Sequence, residues 1–324
     1  MSVLVYTENW DGKFKKLSFE LVSYAKAIAE NLNTETIAVS IGSVEEDELK
    51  KLGNYGAEKI IKVEDEKLKN LANQPYARII SQVAEKEAAT VLVFANNFTG
   101  KAIAPRLSVK LKAGLAAGVV ELPSSFDPFV VKRKVFTNKA FARVKIKSEK
   151  KVLSLFQNSF KIKETDNNAG IESFSPELSD ADFRTGVKEV NKVAGKILLT
   201  DAEIVVSGGR GMKSADKWGP LEELAEVLGA ATACSRPVSD EGWRPHEEHV
   251  GQTGKIIAPN LYFALGISGA IQHLGGVSSS KIIVAVNTDK DAPIFEAADY
   301  GIVGDVHKVL PELIEAVKEV KAEG

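Results

Sequence analysis

The sequence Val205-Val206-Ser207-Gly208-Gly209-Arg210-Gly211 joins a short apolar run to a glycine-rich turn. The apolar run predicts a buried strand, and the glycines predict a tight exit from it. Similar turns follow other predicted strands at Gly266-Ile267-Ser268-Gly269, at Asn287 and at Asp305. Ligands of open parallel sheets bind outside the carboxyl ends of the strands, where glycines let the backbone approach a phosphate. The four turns therefore predict a nucleotide site.

Predicted strands and helices alternate along both halves of the chain. In the first half the strands are Val3–Tyr6, Thr36–Ile41, Lys59–Val63 and Val91–Ala95, and the helices are Phe19–Asn31, Glu45–Leu52 and Tyr76–Glu87. In the second half the strands are Glu203–Ser207, Tyr262–Ile267, Lys281–Val286 and Gly301–Val303, and the helices are Pro220–Leu228, Gly269–Leu274 and Val309–Glu323. This alternation is typical of an α/β protein with parallel strands.

The middle of the chain breaks the alternation. Three strand-like runs, Phe129–Phe136, Ala140–Ile146 and Val152–Phe156, predict an antiparallel extension of the first sheet. From Lys161 to about Val193 the chain is polar and rich in turn residues, so we interpret it as an interdomain linker. The predicted fold is α/β with two domains. Residues 1–188 form a parallel α/β sheet with an antiparallel extension, and residues 189–324 form a doubly wound nucleotide-binding domain.

Composition and charge argue against several functions. The 324 residues include 42 Lys and Arg against 44 Asp and Glu, for a net charge of −2. Without a clustered basic stripe, this balance argues against nucleic acid as the main partner. The single cysteine, Cys234, excludes an intramolecular disulfide, and no apolar run reaches the roughly 18 residues of a membrane span. Because Ser2 leads directly into Val3–Tyr6 without a signal peptide, we expect a cytoplasmic bacterial protein.

Three motifs near the predicted site have ordinary alternatives. Gly208–Gly211 lacks the G-x-G-x-x-G spacing and is equally consistent with a plain strand-to-helix turn. Gly251-Gln252-Thr253-Gly254-Lys255 does not fit the spacing of a Walker A motif. Its hydroxyl, its carboxamide and its two glycines instead suit hydrogen bonds to a ring that lies close to the backbone. His246-Glu247-Glu248-His249 lacks a third ligand and the H-E-x-x-H spacing of a zinc site. We therefore predict no metal ligand.

The second half resembles the FAD-binding domain of the electron transfer flavoprotein alpha subunit. The matching segments are Val206–Ser214, Ser235-Arg236, Val250–Lys255, Gly266–Leu274 and Ala298–Val303, in the order of that family. The first half is similar to the family's N-terminal domain in its pattern and in Ala104-Pro105-Arg106-Leu107. The chain departs from the family at Ala233-Cys234 and Gly275-Gly276, and we interpret Cys234 as a small buried residue.

The resemblance implies an FAD site at the strand ends. The implied contacts are Arg210, Ser235, Arg236, Val250, Gly251, Gln252, Thr253, Ser268, Gly269, Ala270, Ile271, Gln272, His273, Asn287, Asp305 and Val306. It further implies that the Thr253 hydroxyl lies near the flavin N5 and that His273 donates to the C2 carbonyl. Arg236 would favour negative charge on the flavin and so tune its one-electron potentials, while Asn287 and Asp305 would bind adenine or ribose.

Several of these residues also have a plain structural interpretation. Ser268 is suited to cap a helix, and a lone histidine such as His273 is more often packed in a core. Arg236 is equally suited to a surface salt bridge, and Asn287 and Asp305 are residue types that favour turns. Only their spatial arrangement distinguishes the two interpretations.

The resemblance implies an electron carrier with no catalytic residues of its own. Such an alpha subunit pairs with a separately encoded beta subunit, accepts electrons from flavin dehydrogenases such as acyl-CoA dehydrogenases, and passes them to a quinone oxidoreductase. Three alternatives stay open: an electron-bifurcating flavoprotein, a hydride-transferring oxidoreductase that acts alone, and a non-redox module that senses adenine nucleotides. No convincing acid–base set supports the second alternative, and the segments around Thr253 and His273 weigh against the third.

Overall fold

The computed structural model describes residues 1–136, 138, 140–190 and 197–323. The chain divides into two compact units, Met1–Asn191 and Lys192–Gly324. The predicted boundary after residue 188 stays a prediction, and the predicted end of the linker near Val193 lies outside the described residues. None of the described helices is long and apolar enough to cross a membrane.

The first unit is built around one large sheet with helices packed against it. Its strands are β1 (Ser2–Tyr6), β2 (Asn9–Trp10), β3 (Lys13–Phe14), β4 (Glu35–Ile41), β5 (Lys59–Val63), β6 (Ala89–Ala95), β7 (Gly114–Val119), β8 (Ser125–Phe126), β9 (Phe129–Val135), β10 (Ala140–Ile146), β11 (Lys151–Leu155) and β12 (Gly170–Ser173). Its helices are α1 (Lys16–Leu32), α2 (Glu46–Lys50), α3 (Asn73–Lys86) and α4 (Phe98–Leu111). The strand order is β10-β9-β7-β11-β6-β1-β4-β5-β12, with β8 on β9, while β2 and β3 form a separate hairpin.

The centre of this sheet is parallel, as predicted. β1 pairs in parallel with β4 on one side and with β6 on the other. Successive residues of β1 face opposite apolar clusters, with Val3 and Val5 in one and Leu4 in the other. A strand buried on both faces has an almost continuous apolar sequence, which is why the periodicity predicted it. The pairing of β9 with β10 and with β8 is antiparallel and forms the predicted extension.

The run Val152–Phe156 was wrongly predicted to belong to the antiparallel extension. It forms β11, which lies between β6 and β7 and pairs with both in parallel. Val152, Leu153 and Leu155 are completely buried, as expected of a central parallel strand. The prediction also missed β7, whose Ala and Gly residues carry little strand signal.

The segment predicted as a linker begins as part of the first unit. β12 adds a parallel edge strand to β5. Phe174, Leu178 and Phe183 then pack on the core of this unit. The polar and turn residues between these apolar side chains conceal the pattern in the sequence, so the linker prediction was wrong for this stretch.

The second unit contains a smaller sheet that is entirely parallel. Its strands are β13 (Ile204–Gly208), β14 (Ala231–Cys234), β15 (Leu261–Leu265), β16 (Ile282–Asn287) and β17 (Tyr300–Val303). Its helices are α5 (Gly219–Leu228), α6 (Arg236–Asp240), α7 (Ile271–Val277), α8 (Ile294–Ala297) and α9 (Val306–Glu323). The order β14-β13-β15-β16-β17 reverses direction at β13. This is the predicted doubly wound arrangement, in which the reversal marks the usual ligand position.

Apolar layers cover both faces of this sheet. Val205 and Tyr262 face one cluster, whereas their neighbours Val206 and Phe263 face the other. This two-residue alternation follows from the pleat of the strands. Trp218, at the start of α5, is nearly fully buried in the second cluster. The strand ends are therefore fixed on both sides by packed side chains.

Glycine backbones meet directly at the carboxyl ends of the strands. A Cβ atom on Gly209 would overlap the carbonyl group of Gly266, and one on Gly211 would lie 2.6 Å from the Gly266 Cα. On the other side, a Cβ atom on Gly276 of α7 would lie 2.5 Å from the Cα of Gly251. A side chain fits at none of these contacts, so they fix how closely the loops approach one another.

We expect Gly276→Ala to lower the free energy of unfolding of the second unit by about 1–3 kcal/mol, because the added methyl group has to displace the backbone at Gly251. Gly219→Ala is the matched control, since no described heavy atom outside its own helix and chain neighbours lies within 4 Å of the new methyl. It should change the stability by less than about 0.5 kcal/mol. Urea unfolding followed by tryptophan fluorescence, to which Trp218 and Trp243 of the second unit contribute, measures both. Equal effects would show that the contact with Gly251 is not tight.

Candidate nucleotide-binding site

A cavity of about 610 Å³ lies at the carboxyl ends of the strands of the second unit. Every strand of this sheet is followed by lining residues: Arg210, Gly211 and Lys213 after β13, Ser235, Arg236 and Pro237 after β14, Gly266, Ile267, Ser268, Gly269 and Ala270 after β15, Thr288 after β16, and Gly304, Asp305 and Val306 after β17. The loop of residues 249–253 and the first turns of α7 complete the lining. The volume falls within the range of cofactor and ligand sites.

The structure brings together almost all of the predicted contact residues. Of the predicted residues, Ile271 alone does not line the cavity, and its side chain is 56 % exposed. Its neighbours Gln272 and His273 do line it. Residues that are far apart in the sequence thus converge on one cavity, as a ligand site requires.

Backbone hydrogen bonds fix the loop that contains Gly251. The Val250 N–H donates to the Cys234 carbonyl at 3.0 Å, and the Gln252 N–H donates to the Gln272 carbonyl at 2.7 Å. Gly251 has a φ of +153°, a conformation that side chains rarely permit. The side chains of Gln252 and Thr253 are exposed on the cavity wall. Their amide and hydroxyl groups are therefore available to a ligand.

Positive charges outnumber negative charges on the cavity wall. The Lys213 ammonium pairs with Asp305 at 3.2 Å, and the Arg236 guanidinium pairs with Asp240 at 3.2 Å. Arg210 makes no ion pair with any described residue. The Arg236–Asp240 pair matches the predicted surface salt bridge, but both side chains are more than 60 % exposed, so the pair is weak. Arg236 is therefore free to exchange this partner for an anionic ligand.

Ser268 does not cap helix α7. The N-cap residue of α7 is Ala270, and no side chain caps this helix end. The Ser268 side chain is exposed and lines the cavity instead. The plain interpretation of this serine as a helix cap is therefore wrong, and its hydroxyl is available to an anion beside the first turn of α7.

The plain interpretation of Asn287 and Asp305 as turn residues is correct. The Asn287 amide donates to the Ile267 carbonyl at 2.9 Å and accepts from the Asp289 N–H at 3.0 Å. The Asp305 carboxylate accepts from the His307 N–H at 3.0 Å. This hydrogen bond, and then the ion pair described above, lower the pKa of Asp305. Both side chains still line the cavity, so their turn roles hold them in place for a ligand.

His273 is held by a buried tyrosine that the sequence did not predict. The Tyr262 hydroxyl lies 2.8 Å from Nε2 of His273. Burial raises the pKa of Tyr262 and lowers that of His273 to about 4, and His249 adds to the lowering. Because a phenol is the stronger hydrogen-bond acid and a neutral imidazole the stronger base, Tyr262 donates to Nε2. The remaining proton of His273 is therefore on Nδ1, which is buried near Val250 without hydrogen-bond geometry to any described residue.

Among the lining residues that were not predicted as contacts, three have titratable side chains: Lys213, Asp240 and His249. Asp240 is recognisable only by its position one helical turn after Arg236. His249 was considered only as a metal ligand, although it directly precedes the matching segment that starts at Val250. Within the described part of the chain, no group of three or more His, Cys, Asp or Glu is placed to hold a metal.

Cys234 lies at the end of β14, close to the cavity in sequence but outside its lining. Its side chain is completely buried. Burial raises the pKa of the thiol to about 12, with a smaller effect of Glu248 in the same direction. The thiol is therefore protonated and unreactive at neutral pH, as predicted for a small buried residue.

A doubly wound parallel sheet with glycine turns at its strand ends defines the class of domain that binds nucleotide cofactors. Comparison with protein families narrows the class. Residues 3–179 match the family described as "Electron transfer flavoprotein domain", and residues 198–278 match the "Electron transfer flavoprotein FAD-binding domain".

Whole-chain comparisons agree with these matches. The chain is 38 % identical over 320 residues to "Electron transfer flavoprotein subunit alpha" of Bacillus subtilis, with 98 % of each chain covered. It is 39 % identical over 317 residues to the protein of the same name from Syntrophomonas wolfei, with 97 % of this chain and 98 % of the relative covered. It is also 33 % identical over 353 residues, with 98 % and 96 % coverage, to "Acryloyl-CoA reductase electron transfer subunit beta" of Anaerotignum propionicum. The chain belongs to the electron transfer flavoprotein alpha subunit family, and its cofactor is FAD.

The cavity residues fit this cofactor. Arg210 and Lys213 offer positive charge to a pyrophosphate, and Arg236 adds a third cation to the cavity wall. The loop at Gly251 offers backbone close to a flat ring, and the buried neutral imidazoles of His249 and His273 each have an Nδ1 atom without a partner among the described residues. These are the groups that a ring with polar edges needs.

The buried imidazole of His273 should make the stability of the second unit depend on pH. Its pKa is about 4 in the folded chain and about 6.5 in the unfolded chain. The unfolded state therefore takes up the proton first, so stability that is complete above pH 6.5 is lost as the pH falls toward 4, by about 3 kcal/mol in total.

We expect His273→Gln to remove this part of the pH dependence and His246→Gln, at an exposed position, to leave it intact. Urea unfolding of the FAD-free chain between pH 4 and pH 8 tests the expectation. A curve for His273→Gln that runs parallel to that of the wild type would show that His273 is protonated normally in the folded chain.

Proposed function

We propose that this chain is the FAD-binding alpha subunit of a heterodimeric, cytoplasmic electron transfer flavoprotein. It pairs with a beta subunit, accepts electrons from flavin dehydrogenases such as acyl-CoA dehydrogenases, and passes them to a quinone oxidoreductase. The observation that carries the proposal is the convergence of the predicted contacts on one cavity at the strand ends. The name of the Anaerotignum relative, an electron transfer subunit of an acryloyl-CoA reductase, supports a partner that acts on CoA thioesters.

We assign the two ends of FAD from the groups that the cavity presents. Arg210, Lys213 and Ser268 would hold the pyrophosphate, because they supply two cations and a free hydroxyl. Asn287, Asp305 and Val306, after β16 and β17, would hold the adenosine end. Acceptors fixed by turns are suited to ribose hydroxyls and to the adenine amino group.

The flavin end falls to the other side of the cavity, where Arg236, the loop Val250–Thr253 and His273 lie. His273 is uncharged, and Tyr262 occupies its Nε2, so Nδ1–H is the donor that it has to offer. Arg236 supplies the positive charge that a reduced flavin attracts. FAD itself supplies the redox chemistry, while these residues bind it, orient it and set the charge around it.

The side chains around the cavity do not suit an enzyme with its own substrate. Both acidic residues of the lining, Asp240 and Asp305, are engaged in ion pairs with cations. Among the described lining residues, no nucleophile lies in hydrogen-bond contact with a base. A hydride-transferring oxidoreductase needs instead an acid or base placed beside its own substrate, and the two carboxylates of the lining are already paired. An electron carrier needs only a held flavin whose edge a partner protein can approach.

Co-expression with the beta subunit gene and stepwise reduction of the purified complex test the proposal. One FAD per heterodimer that accepts single electrons supports the carrier. Two FADs per heterodimer would instead indicate electron bifurcation. A colourless complex that binds only adenine nucleotides would contradict the proposal and favour the nucleotide sensor.

Arg236→Ala should lower the potential of the first reduction step by about 60 mV, the equivalent of a tenfold change in a one-electron equilibrium. The substitution removes a positive charge and also leaves the Asp240 carboxylate without its partner. Asp240→Asn should raise the same potential, because it removes a negative charge. Arg236→Lys keeps the positive charge and should leave the potential close to that of the wild type. Potentiometric titration of the heterodimer measures all three. An unchanged potential in Arg236→Ala would place the flavin elsewhere.

Ser268→Ala should weaken FAD retention about fivefold, because a hydroxyl hydrogen bond to the pyrophosphate contributes about 1 kcal/mol. Ser278→Ala, at the exposed other end of α7, is the matched control and should leave retention unchanged. Fluorescence of released FAD, measured after serial dilution, gives both dissociation constants. Equal constants for the two variants would move the pyrophosphate away from α7.

A further inference from the structure

His249 is a buried histidine on the cavity wall that the family resemblance leaves without a role. Its side chain is 3 % exposed, and it lines the cavity. The ring lies between two glycines of the loop that follows it: a Cβ atom on Gly251 would be 3.4 Å from Nε2, and one on Gly254 would be 2.8 Å from Nδ1. Nδ1 is buried and has no hydrogen-bond partner among the described residues.

The position of His249 is fixed by the backbone on both sides. Its carbonyl accepts from the Lys255 N–H at 2.9 Å, and the next residue, Val250, donates to the Cys234 carbonyl at 3.0 Å. Close packing against Gly251 and Gly254 leaves the ring little space to turn. The imidazole is therefore held beside the loop that we assign to the flavin.

The charged and titratable groups around His249 come from every element packed near it. Helix α6 supplies Arg236 and Asp240, β14 supplies the buried thiol of Cys234, and α7 supplies His273. Its own loop supplies Lys255, the ion pair between Arg244 and Glu248, and His246, whose ring centre is 5.4 Å away. Burial lowers the pKa of His249, His246 and Arg236 lower it further, and Asp240 opposes them. The imidazole is uncharged at neutral pH in this state.

We propose that His249 is a proton-binding residue coupled to the reduction of FAD. The inference depends on the proposed function, because it needs the flavin in this cavity. Negative charge on a reduced flavin held in this cavity would stabilise the imidazolium of His249, which would take one proton from solvent for the one electron that the donor supplies. The site then gains one electron and one proton together, and its net charge does not change. On reoxidation the electron leaves to the acceptor and the proton returns to solvent.

His249 is better suited to this role than the neighbouring His273. Tyr262 donates to Nε2 of His273, so protonation there would force the buried Tyr262 hydroxyl to turn from donor to acceptor. His249 makes no such hydrogen bond with the described residues. Asp240, which is exposed, is one of the charged groups beside His249, so solvent reaches this part of the cavity wall and can supply the proton.

The dependence of the first reduction potential on pH tests the inference. In the wild-type heterodimer the potential should fall by about 59 mV per pH unit around neutral pH, the value for one proton bound with one electron. In His249→Gln it should become nearly independent of pH over the same range. His246→Gln, whose exposed ring lies in the same loop, is the matched control and should keep the slope. A pH-indicator dye should report one proton taken up per electron in the wild type and none in His249→Gln.

The outcomes separate this inference from the proposed function. A wild-type heterodimer without FAD would overturn the proposed function itself. Bound FAD with the same slope in the wild type and in His249→Gln, or with no slope in the wild type, would overturn the role of His249 alone. If His249→Gln does not retain FAD, carbon-13 NMR of labelled histidines in the wild type decides, with assignment by His246→Gln and His307→Gln. His273→Gln then distinguishes the two buried imidazoles. The signal of His249 must change from neutral to protonated on reduction, and a spectrum in which it does not would contradict the inference.

Discussion

Direct contact between glycine backbones at the strand ends is the constraint on which the second unit depends. Gly209 and Gly211 lie against Gly266, and Gly276 lies against Gly251, with no space for a side chain at any contact. The first contact joins the turns after β13 and β15, the two strands beside the reversal of the sheet. The second joins α7 to the loop that carries Val250–Thr253. Side chains from distant parts of the sequence can converge on one cavity because these backbones approach so closely.

The charge on the cavity wall depends on which carboxylates form ion pairs and on which histidines are buried. Its two carboxylates are partnered by cations, and its two deepest histidines are uncharged because burial disfavours the imidazolium. Within the described part of the chain, Arg210 is the lining cation without an ion pair, so the wall carries a net positive charge toward an anionic cofactor. Most ionised side chains of the cavity wall therefore already have a partner. Such a site is suited to hold a cofactor whose own charge changes.

Short-range sequence patterns predicted the two α/β units. The order of some strands and the pairing of buried side chains depend on tertiary contacts that these patterns do not show. Apolar runs and the turns after them predicted most of the strands and the strand-end position of the cavity, because Gly, Ser, Asn and Asp mark strand exits directly in the sequence. The list of contact residues came from the family resemblance. The position of β11 was not predictable in this way, since a short apolar run does not reveal whether its neighbours are parallel. Ile271 was counted as a contact because it lies inside a matching segment, but one step around α7 turns its side chain out to solvent. The pairing of Tyr262 with His273 depends on the register between β15 and α7, for which the sequence contains no local signal.

All the residues that line the cavity belong to the second unit, between Arg210 and Val306. A ligand that binds only the folded form stabilises the part of the chain that contains its contacts, by about 4 kcal/mol at a concentration one thousand times its dissociation constant. FAD thus stabilises the second unit directly. The first unit has no part in this cavity and is stabilised by its own apolar clusters. The two halves of this chain therefore differ in what keeps them folded. Loss of FAD would lower the stability of the second unit and leave that of the first unit unchanged.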